Sequence, residues 1–348
     1  MKVSDFSFDL PADLVAQFPP EQRGSSRLLV LNRRTGAIAH SAVRDLARIL
    51  NPGDLMVFND TRVFPARLIG EREPGGGAVE VMLVSRVDDD RWEALVHPGQ
   101  RMRPGRLVRF ERGGRTLHGE VLEERYFGRR LVRFWTRDAG TVMDAIEAIG
   151  HIPLPPYIKR PDLDLDRERY QTVFAREAGS IAAPTAGLHF TDAILRELDG
   201  AGVERTTITL HVGYGTFKPV RATDVEGHTV DPERYAISEE AASRVNAALD
   251  EGRRIIVVGT TTTRALESAA ERGGGRVVAG AAETSLFIHP GHRFRVAGGL
   301  VTNFHLPASS LLMLVAAFAG RETVLRAYRE AVAQRYRFYS YGDAMFVE

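Results

Sequence analysis

Apolar positions along the chain fall into three regimes. Residues 27–31 form a short apolar run that predicts a strand, and Val43, Leu46, Ile49 and Leu50 are spaced for a helix over 41–50. Asn51-Pro-Gly-Asp54 ends that helix, and residues 55–58 predict a buried strand that delivers Asn59, Asp60, Thr61 and Arg62. From 64 to about 135 the character changes. Alternating or β-rich runs at 66–71, 78–87, 92–96, 106–110, 117–122 and 131–135 are separated by Gly- and Pro-containing turns, the pattern of a small antiparallel barrel or sandwich. Helical spacing returns at 141–149, and helices and buried strands then alternate. The expected fold is α/β: a discontinuous layered α/β domain of residues 1–63 and 150–348, with an inserted small antiparallel β-barrel domain over 64–149.

In the last part, strands are expected at 203–210, 254–258, 285–288 and 300–301, and helices at 166–176, 192–198, 238–250, 311–319 and 322–335. Four prolines between His151 and Pro161 exclude helix and central strand there. That stretch reads as a plain hinge, or as a rim on which Tyr157, Lys159 and Arg160 line a groove. The aromatic tail, 336–346, is too apolar to be disordered.

Several small or polar loops sit where open α/β sheets place ligands, after buried strands. Residues 180–191 are the most distinctive: Ala182 to Gly187 offer little bulk, Pro184 stiffens the turn, Gly187 permits a positive φ, and Thr191 can cap a helix starting at Asp192. Such residues also fill tight strand–helix crossings. His211 stands at the mouth of a turn containing Gly213 and Gly215, which lacks the third glycine and following helix of a dinucleotide fingerprint. After 254–258, Gly259 and Thr260 to Thr263 lead into a helix with Arg264, a strand–glycine–helix geometry suited to an anion or a nucleoside but lacking the lysine of a triphosphate loop. Ser309 or Ser310 should cap the helix over 311–319.

Composition narrows the classes. The 348 residues suggest two domains, and a hydrophobic share of 44% with 26% charged is that of an ordinary globular protein. Without cysteine, disulfides, thiol nucleophiles, Cys-ligated zinc and iron–sulfur clusters are all excluded. No signal-peptide core or span-length apolar run occurs, so a cytoplasmic protein without membrane attachment is expected. Net charge is +1, so any basic surface is local. Residues 98–137 hold eleven Arg against four acids, near Tyr126, Phe127 and Trp135, which suits a nucleic-acid backbone and its bases or, equally simply, a solvated face in a chain whose only lysines are Lys2, Lys159 and Lys218.

Taken together, Phe58-Asn-Asp-Thr-Arg62, residues 182–191, Leu210-His-Val-Gly-Tyr-Gly-Thr-Phe217, Val258-Gly-Thr-Thr-Thr-Thr-Arg-Ala-Leu-Glu-Ser268, Val301-Thr-Asn-Phe-His-Leu-Pro307 and Arg337-Phe-Tyr-Ser-Tyr-Gly-Asp-Ala-Met-Phe346 resemble the S-adenosylmethionine:tRNA ribosyltransferase-isomerase family of queuosine biosynthesis. The resemblance covers essentially the whole chain. It implies transfer and isomerisation of the ribosyl part of S-adenosylmethionine onto 7-aminomethyl-7-deazaguanine at the tRNA wobble position, giving epoxyqueuosine-tRNA with release of adenine and methionine. S-adenosylmethionine is then a consumed substrate, no cofactor or metal is needed, tRNA is the partner, and a monomer is expected. The chain departs from the family pattern in Asp231, where a second histidine is common, and in Tyr214, where a small or aliphatic residue is common.

Such chemistry needs a base, a proton donor for adenine and groups that hold the ribose. From motif position, His211 is expected as base and His189 as acid or adenine contact, with His305 and Asp60 also catalytic. Pro184, Thr185, Gly187, Gly213, Gly259, Thr260, Thr261, Arg264 and Glu267 are expected to bind S-adenosylmethionine, and Arg62, Tyr157, Lys159, Arg129 and Arg130 to contact tRNA. Two other classes compete: a non-catalytic RNA-binding protein, and a metal-dependent hydrolase using His289, His292 and His305.

Overall fold

The computed structural model describes residues 1–348 apart from Pro219 and the side chains of Phe127 and Phe217. The expected stacking role of Phe127 and the end of the turn motif at Phe217 and Pro219 therefore lie outside the described residues. The strands are β1 (Arg27–Leu31), β2 (Ile38–Ala42), β3 (Leu55–Asn59), β4 (Thr61–Val63), β5 (Arg67–Glu73), β6 (Ala78–Arg86), β7 (Arg91–His97), β8 (Leu107–Arg112), β9 (Arg115–Glu124), β10 (Arg129–Trp135), β11 (Glu177–Ser180), β12 (Glu204–Leu210), β13 (Glu233–Ile237), β14 (Ile255–Val258), β15 (Gly280–Thr284), β16 (Gly299–Asn303) and β17 (Ala344–Val347). The helices are α1 (Leu46–Ile49), α2 (Val142–Ile149), α3 (Asp164–Arg169), α4 (Asp192–Gly200), α5 (Glu239–Asp250), α6 (Thr260–Arg272), α7 (Ser310–Ala319) and α8 (Arg321–Ala333).

Strands β5 to β10 close into a six-stranded barrel in the order β10-β7-β6-β5-β8-β9, antiparallel throughout. Alternation produces it: Val79, Val81 and Leu83 of β6 point inward and pack with Trp92, Ala94 and Val96 of β7. Helix α2, capped by Thr141, whose hydroxyl accepts the Asp144 N–H, lays Ala145, Ile146 and Ile149 against the same core.

The other strands form a nine-stranded sheet in the order β15-β13-β12-β3-β14-β16-β17-β1-β2, with β4 and β11 pairing separately. Strands β12, β3, β14 and β16 are mutually parallel; β3, β14 and β16 are buried along their whole length, and β3 and β14 carry the almost unbroken apolar runs of strands covered on both faces. Their carboxyl ends lie along one edge, which brings together Asp60, His211, Gly259 and the Asn303–His305 turn. Strand β17 runs antiparallel to β16 and parallel to β1, so its leading residues, Tyr339 to Asp343, reach that same edge.

Four expectations change. Residues 41 and 42 belong to β2, because the Asp45 carboxylate accepts from the Ala42 N–H and the Ser41 hydroxyl and starts helical winding only after them. The helix expected over 166–176 is α3 alone, because the Gln171 side chain bonds both backbone groups of Val63 and draws the chain out of the helix. No strand forms at 285–288: the Thr284 hydroxyl accepts from the Leu286 N–H in a local turn that ends β15. Gly187 does not take a positive φ; a Cβ there would come within 2.8 Å of Thr172 and 2.9 Å of Phe174, so close packing accounts for it. Thr191 and Ser309 do cap α4 and α7, accepting from Ile194 and Leu312.

The tail is a structural member of the sheet. All four residues of β17 are buried, and Phe346 packs with Phe58, Val258 and Val301. Phe346→Ala should lower unfolding free energy by about 3–5 kcal/mol in urea titrations; a loss below about 1 kcal/mol, the range of a surface substitution, would contradict this placement.

Candidate functional site

Two connected cavities open on the carboxyl edge. The first, about 470 Å³ and mostly apolar, has a floor of Ala182, Ala183, Pro184, Thr185 and Ala186 and an opposite wall of Thr302, Asn303, His305, Tyr339 and Ser340. Gly259, Thr260 and Thr261 at the start of α6 and Ser309, Ser310 and Leu311 at the start of α7 also line it. Two helix N-termini thus supply unpaired backbone N–H groups and positive potential to one space. The hydroxyls of Thr262 and Thr263 turn away, donating to the Val258 and Gly259 carbonyls. Tyr157 lines the same cavity, bonded through its hydroxyl to Ser340 Oγ at 2.5 Å and packed on Tyr339 with ring centroids 4.1 Å apart.

The second cavity, about 820 Å³ and more polar, lies between barrel residues Val84, Leu95 and Arg129 and sheet-side residues including Tyr214, Arg221, His228, Asp231, Glu233 and Arg264. It shares Thr216, Lys218, Ser310 and Leu311 with the first. At its base Arg264 and Glu233 form a buried ion pair; Glu233 also accepts the Gly213 N–H, while Arg264 Nε has no partner. Lys218 Nζ meets Asp231 at 2.6 Å, so Asp231 supplies a counter-charge at the junction.

Of the residues singled out in the sequence, Pro184, Thr185, Gly259, Thr260, Thr261, His305 and Tyr157 line the first cavity, and Arg129 and Arg264 line the second. Gly187 and Gly213 line neither cavity. Lys159 lies on a separate groove with His151 and Arg160. The others are held by the protein itself. Asp60 accepts from Thr209 at 2.7 Å and Arg176 at 2.8 Å. Glu267 accepts the N–H groups of Arg295, Val296 and Ala297; burial alone would raise its pKa, but His292 and these amides bring it below the usual carboxylate range. Arg62 pairs with Glu147. Arg130 is buried and donates to the Met102, Arg129 and Gly99 carbonyls, so it holds the barrel's own backbone.

The three motif histidines have different surroundings. His211 Nδ1 is 2.8 Å from the Thr61 hydroxyl, and its ring packs against Gly179, where a Cβ would lie 2.9 Å away. Burial lowers its pKa, and it does not line the first cavity, whose wall there is Val212. His189 is buried between Ser26 Oγ at 2.9 Å and Asn303 Nδ2 at 3.0 Å; burial, then the charge of Arg337, lowers its pKa to about 4. The two rings therefore do not face each other across the cavity. His305 does line it, with Nε2 2.8 Å from the Thr302 hydroxyl, and burial lowers its pKa to about 3. Among the described residues, no group of three or more His, Asp or Glu is placed to hold a metal ion.

Sequence reasoning did not single out Asn303, Tyr339, Ser340 or Lys218 as site residues. Asn303 and Tyr339 stood inside quoted motifs, but only β17 brings the tail beside the β16 turn. The Arg excess of the barrel is also partly compensated: Arg109, Arg125, Arg129 and Arg133 meet Glu73, Glu93 and Glu120 across strands.

A family model described as "Queuosine biosynthesis protein" matches residues 3–347. A protein of Heliobacterium modesticaldum named S-adenosylmethionine:tRNA ribosyltransferase-isomerase is 50% identical over 348 residues, and one of Symbiobacterium thermophilum with the same name is 52% identical over 347, each match covering all of both chains. The crystal structure of S-adenosylmethionine tRNA ribosyltransferase from Thermotoga maritima is similar with a TM-score of 0.56 at 34% identity, covering 99% of this chain and 100% of that one.

The buried histidines make stability depend on pH. His189 and His305 titrate near 4 and 3 in the fold, against an ordinary 6.5, so the unfolded chain takes up protons that the fold refuses as pH falls below 6.5. Stability is fully present above 6.5 and is lost below it at about 1.4 kcal/mol per pH unit for each ring. Urea unfolding midpoints should fall steadily from pH 7 to pH 5, and less steeply in His189→Gln; a flat profile contradicts the buried, neutral assignment.

Proposed function

The chain belongs to the S-adenosylmethionine:tRNA ribosyltransferase-isomerase family of queuosine biosynthesis and is a transferase, and from that premise we propose that it moves the ribosyl part of S-adenosylmethionine onto the aminomethyl-deazaguanine wobble base of tRNA in the cytoplasm. The product is epoxyqueuosine-tRNA, and adenine and methionine leave. The observation that carries this reading is the joining of a mostly apolar cavity to a more polar one at Thr216, Lys218, Ser310 and Leu311. A small ligand fits the first and a nucleotide presented from a polymer the second.

In this reading the adenosyl group lies on the Ala182–Ala186 floor and the methionine carboxylate meets the first turns of α6 and α7 with Lys218 nearby. The sulfonium acidifies C5′ and makes methionine a leaving group. Loss of the C5′ proton, departure of adenine, attack by the substrate amine and closure to the epoxide as methionine leaves complete the sequence. His305 is the histidine on the cavity wall and Thr302 orients it; burial keeps it neutral but lowers its basicity, so its assignment to the proton transfer rests on its position in the cavity. His211, bonded to Thr61, braces the end of β12. The wobble base enters through the polar cavity, splayed from its stack, with the barrel as the tRNA-contacting insert and Arg129 at the border.

Mass spectrometry of tRNA bearing the aminomethyl-deazaguanine base, incubated with the protein and S-adenosylmethionine, should show the ribosyl-derived mass gain together with adenine release. An unchanged tRNA mass contradicts the reading. His305→Ala should lower turnover by about a hundredfold or more, the range of a lost acid–base group, and His211→Ala by only a few-fold; the reverse order would give the proton transfer to His211. Arg129→Glu should weaken tRNA binding and flatten its salt dependence with S-adenosylmethionine binding intact, whereas Arg130→Glu should lower the melting temperature. Equal losses for both ligands in Arg129→Glu would contradict the tRNA contact.

A further inference from the structure

Three residues lining the apolar cavity carry a buried polar side-chain atom with no hydrogen-bond partner in the protein: Asn303 Oδ1, Tyr339 Oη and Tyr170 Oη. Their residues are only 2%, 7% and 1% exposed. Buried polar groups are almost always paired, so orphans gathered around one cavity point to a ligand as the missing partner, and Asn303 and Tyr339, joined by the Asn303 Nδ2 bond to the Tyr339 carbonyl, are the adjacent pair.

The orientation of Asn303 follows from its neighbours. Its Nδ2 lies 3.1 Å from the Tyr339 carbonyl and 3.0 Å from His189 Nε2. A carbonyl only accepts, so this end of the amide is the nitrogen, and Oδ1 is left as a free acceptor. With both amide hydrogens engaged, His189 Nε2 is an unprotonated acceptor, and the ring hydrogen sits on Nδ1, donated to Ser26 Oγ at 2.9 Å. Ser26, His189 and Asn303 thus form one chain of bonds that fixes which way Oδ1 points.

That chain ends on a strained residue. Tyr339 has φ 73°, a left-handed conformation uncommon for a side chain of this size. It is held there by its N–H to Phe304, by its carbonyl accepting from Asn303 and Gly342, and by the Tyr157 ring. Burial pushes its phenol far above the ordinary value, so it stays a neutral hydroxyl able to donate.

We propose that Asn303 Oδ1 and Tyr339 Oη read the adenine of the bound nucleoside, the amide oxygen accepting from the exocyclic amine and the hydroxyl donating to a neighbouring ring nitrogen, with His189 as the positioning residue. The assignment rests on the adenosyl reading of this cavity. An amine beside a ring nitrogen is a donor next to an acceptor, the complement of what these two side chains offer. A 6-oxo purine places an acceptor opposite Oδ1 and leaves it unsatisfied.

The test is equilibrium binding of S-adenosylmethionine and of its 6-oxo (inosine) counterpart by calorimetry. The wild-type protein should bind the 6-oxo compound at least about tenfold more weakly, the cost of a buried acceptor left unpaired. Tyr339→Phe, which keeps the ring, should weaken S-adenosylmethionine binding by about tenfold with an unchanged melting temperature. His189→Gln should shrink the amine/oxo ratio, which a purely structural role would leave unmoved. Equal binding of the two compounds by the wild type overturns this inference while leaving the proposed function standing; binding of neither overturns both.

Discussion

Insertion of the last strand between β16 and β1 is the constraint on which the rest depends. It completes the nine-stranded sheet, buries Phe346 against residues from β3, β14 and β16, and joins the end of the chain to its first strand. Asp343 secures the corner before it, accepting the N–H groups of Arg27 and Arg337. Because β17 runs against β16, its approach passes over the carboxyl edge of the parallel strands. Tyr339 and Ser340 are thereby carried onto the cavity wall beside Asn303, and Tyr341 reaches the buried Asp166, which also holds Arg160 of the proline-rich segment. One topological choice therefore builds both the core and the far side of the site.

The cavity so formed has a polarity of its own. The N-termini of α6 and α7 give it positive potential, with the Lys218–Asp231 pair at its border, while the alanine floor and the tyrosines give it apolar area. No carboxylate lines it among the described residues. An anionic group is favoured at the helix ends, and the apolar body of a ligand on the floor. The carboxylates nearby are spent elsewhere: Asp60 ties β12 to the Arg176 segment, and Glu267 collects three amides from the loop before β16. They stabilise the edge on which the site is built.

Much of the fold was legible because its signals are local. Barrel strands β6 to β9 alternate with period two, β5 and β10 are β-rich runs beside them, and β3 and β14 are short apolar runs followed by polar turns, so these elements are visible in the sequence. Strand β17 gives no alternation because it is buried on both faces, and β15, built mainly of Gly, Ala and Glu at a sheet edge, lacks the β-branched residues that mark strands. At the site, the small-residue loop and the threonine run were visible as sequence and do line the cavity. What sequence could not separate is a polar residue that serves a ligand from one that serves the backbone. His189, His211, Asp60 and Glu267 sit in motifs as distinctive as that of His305, and only the partners each finds in the fold distinguish them.

A crystal structure of the protein with S-adenosylmethionine should show the adenosyl group on the Ala182–Ala186 floor facing Asn303 and Tyr339, with the carboxylate at the first turns of α6 and α7. A ligand seated instead in the polar cavity against Arg264 and Glu233, or held at His211, would contradict this placement.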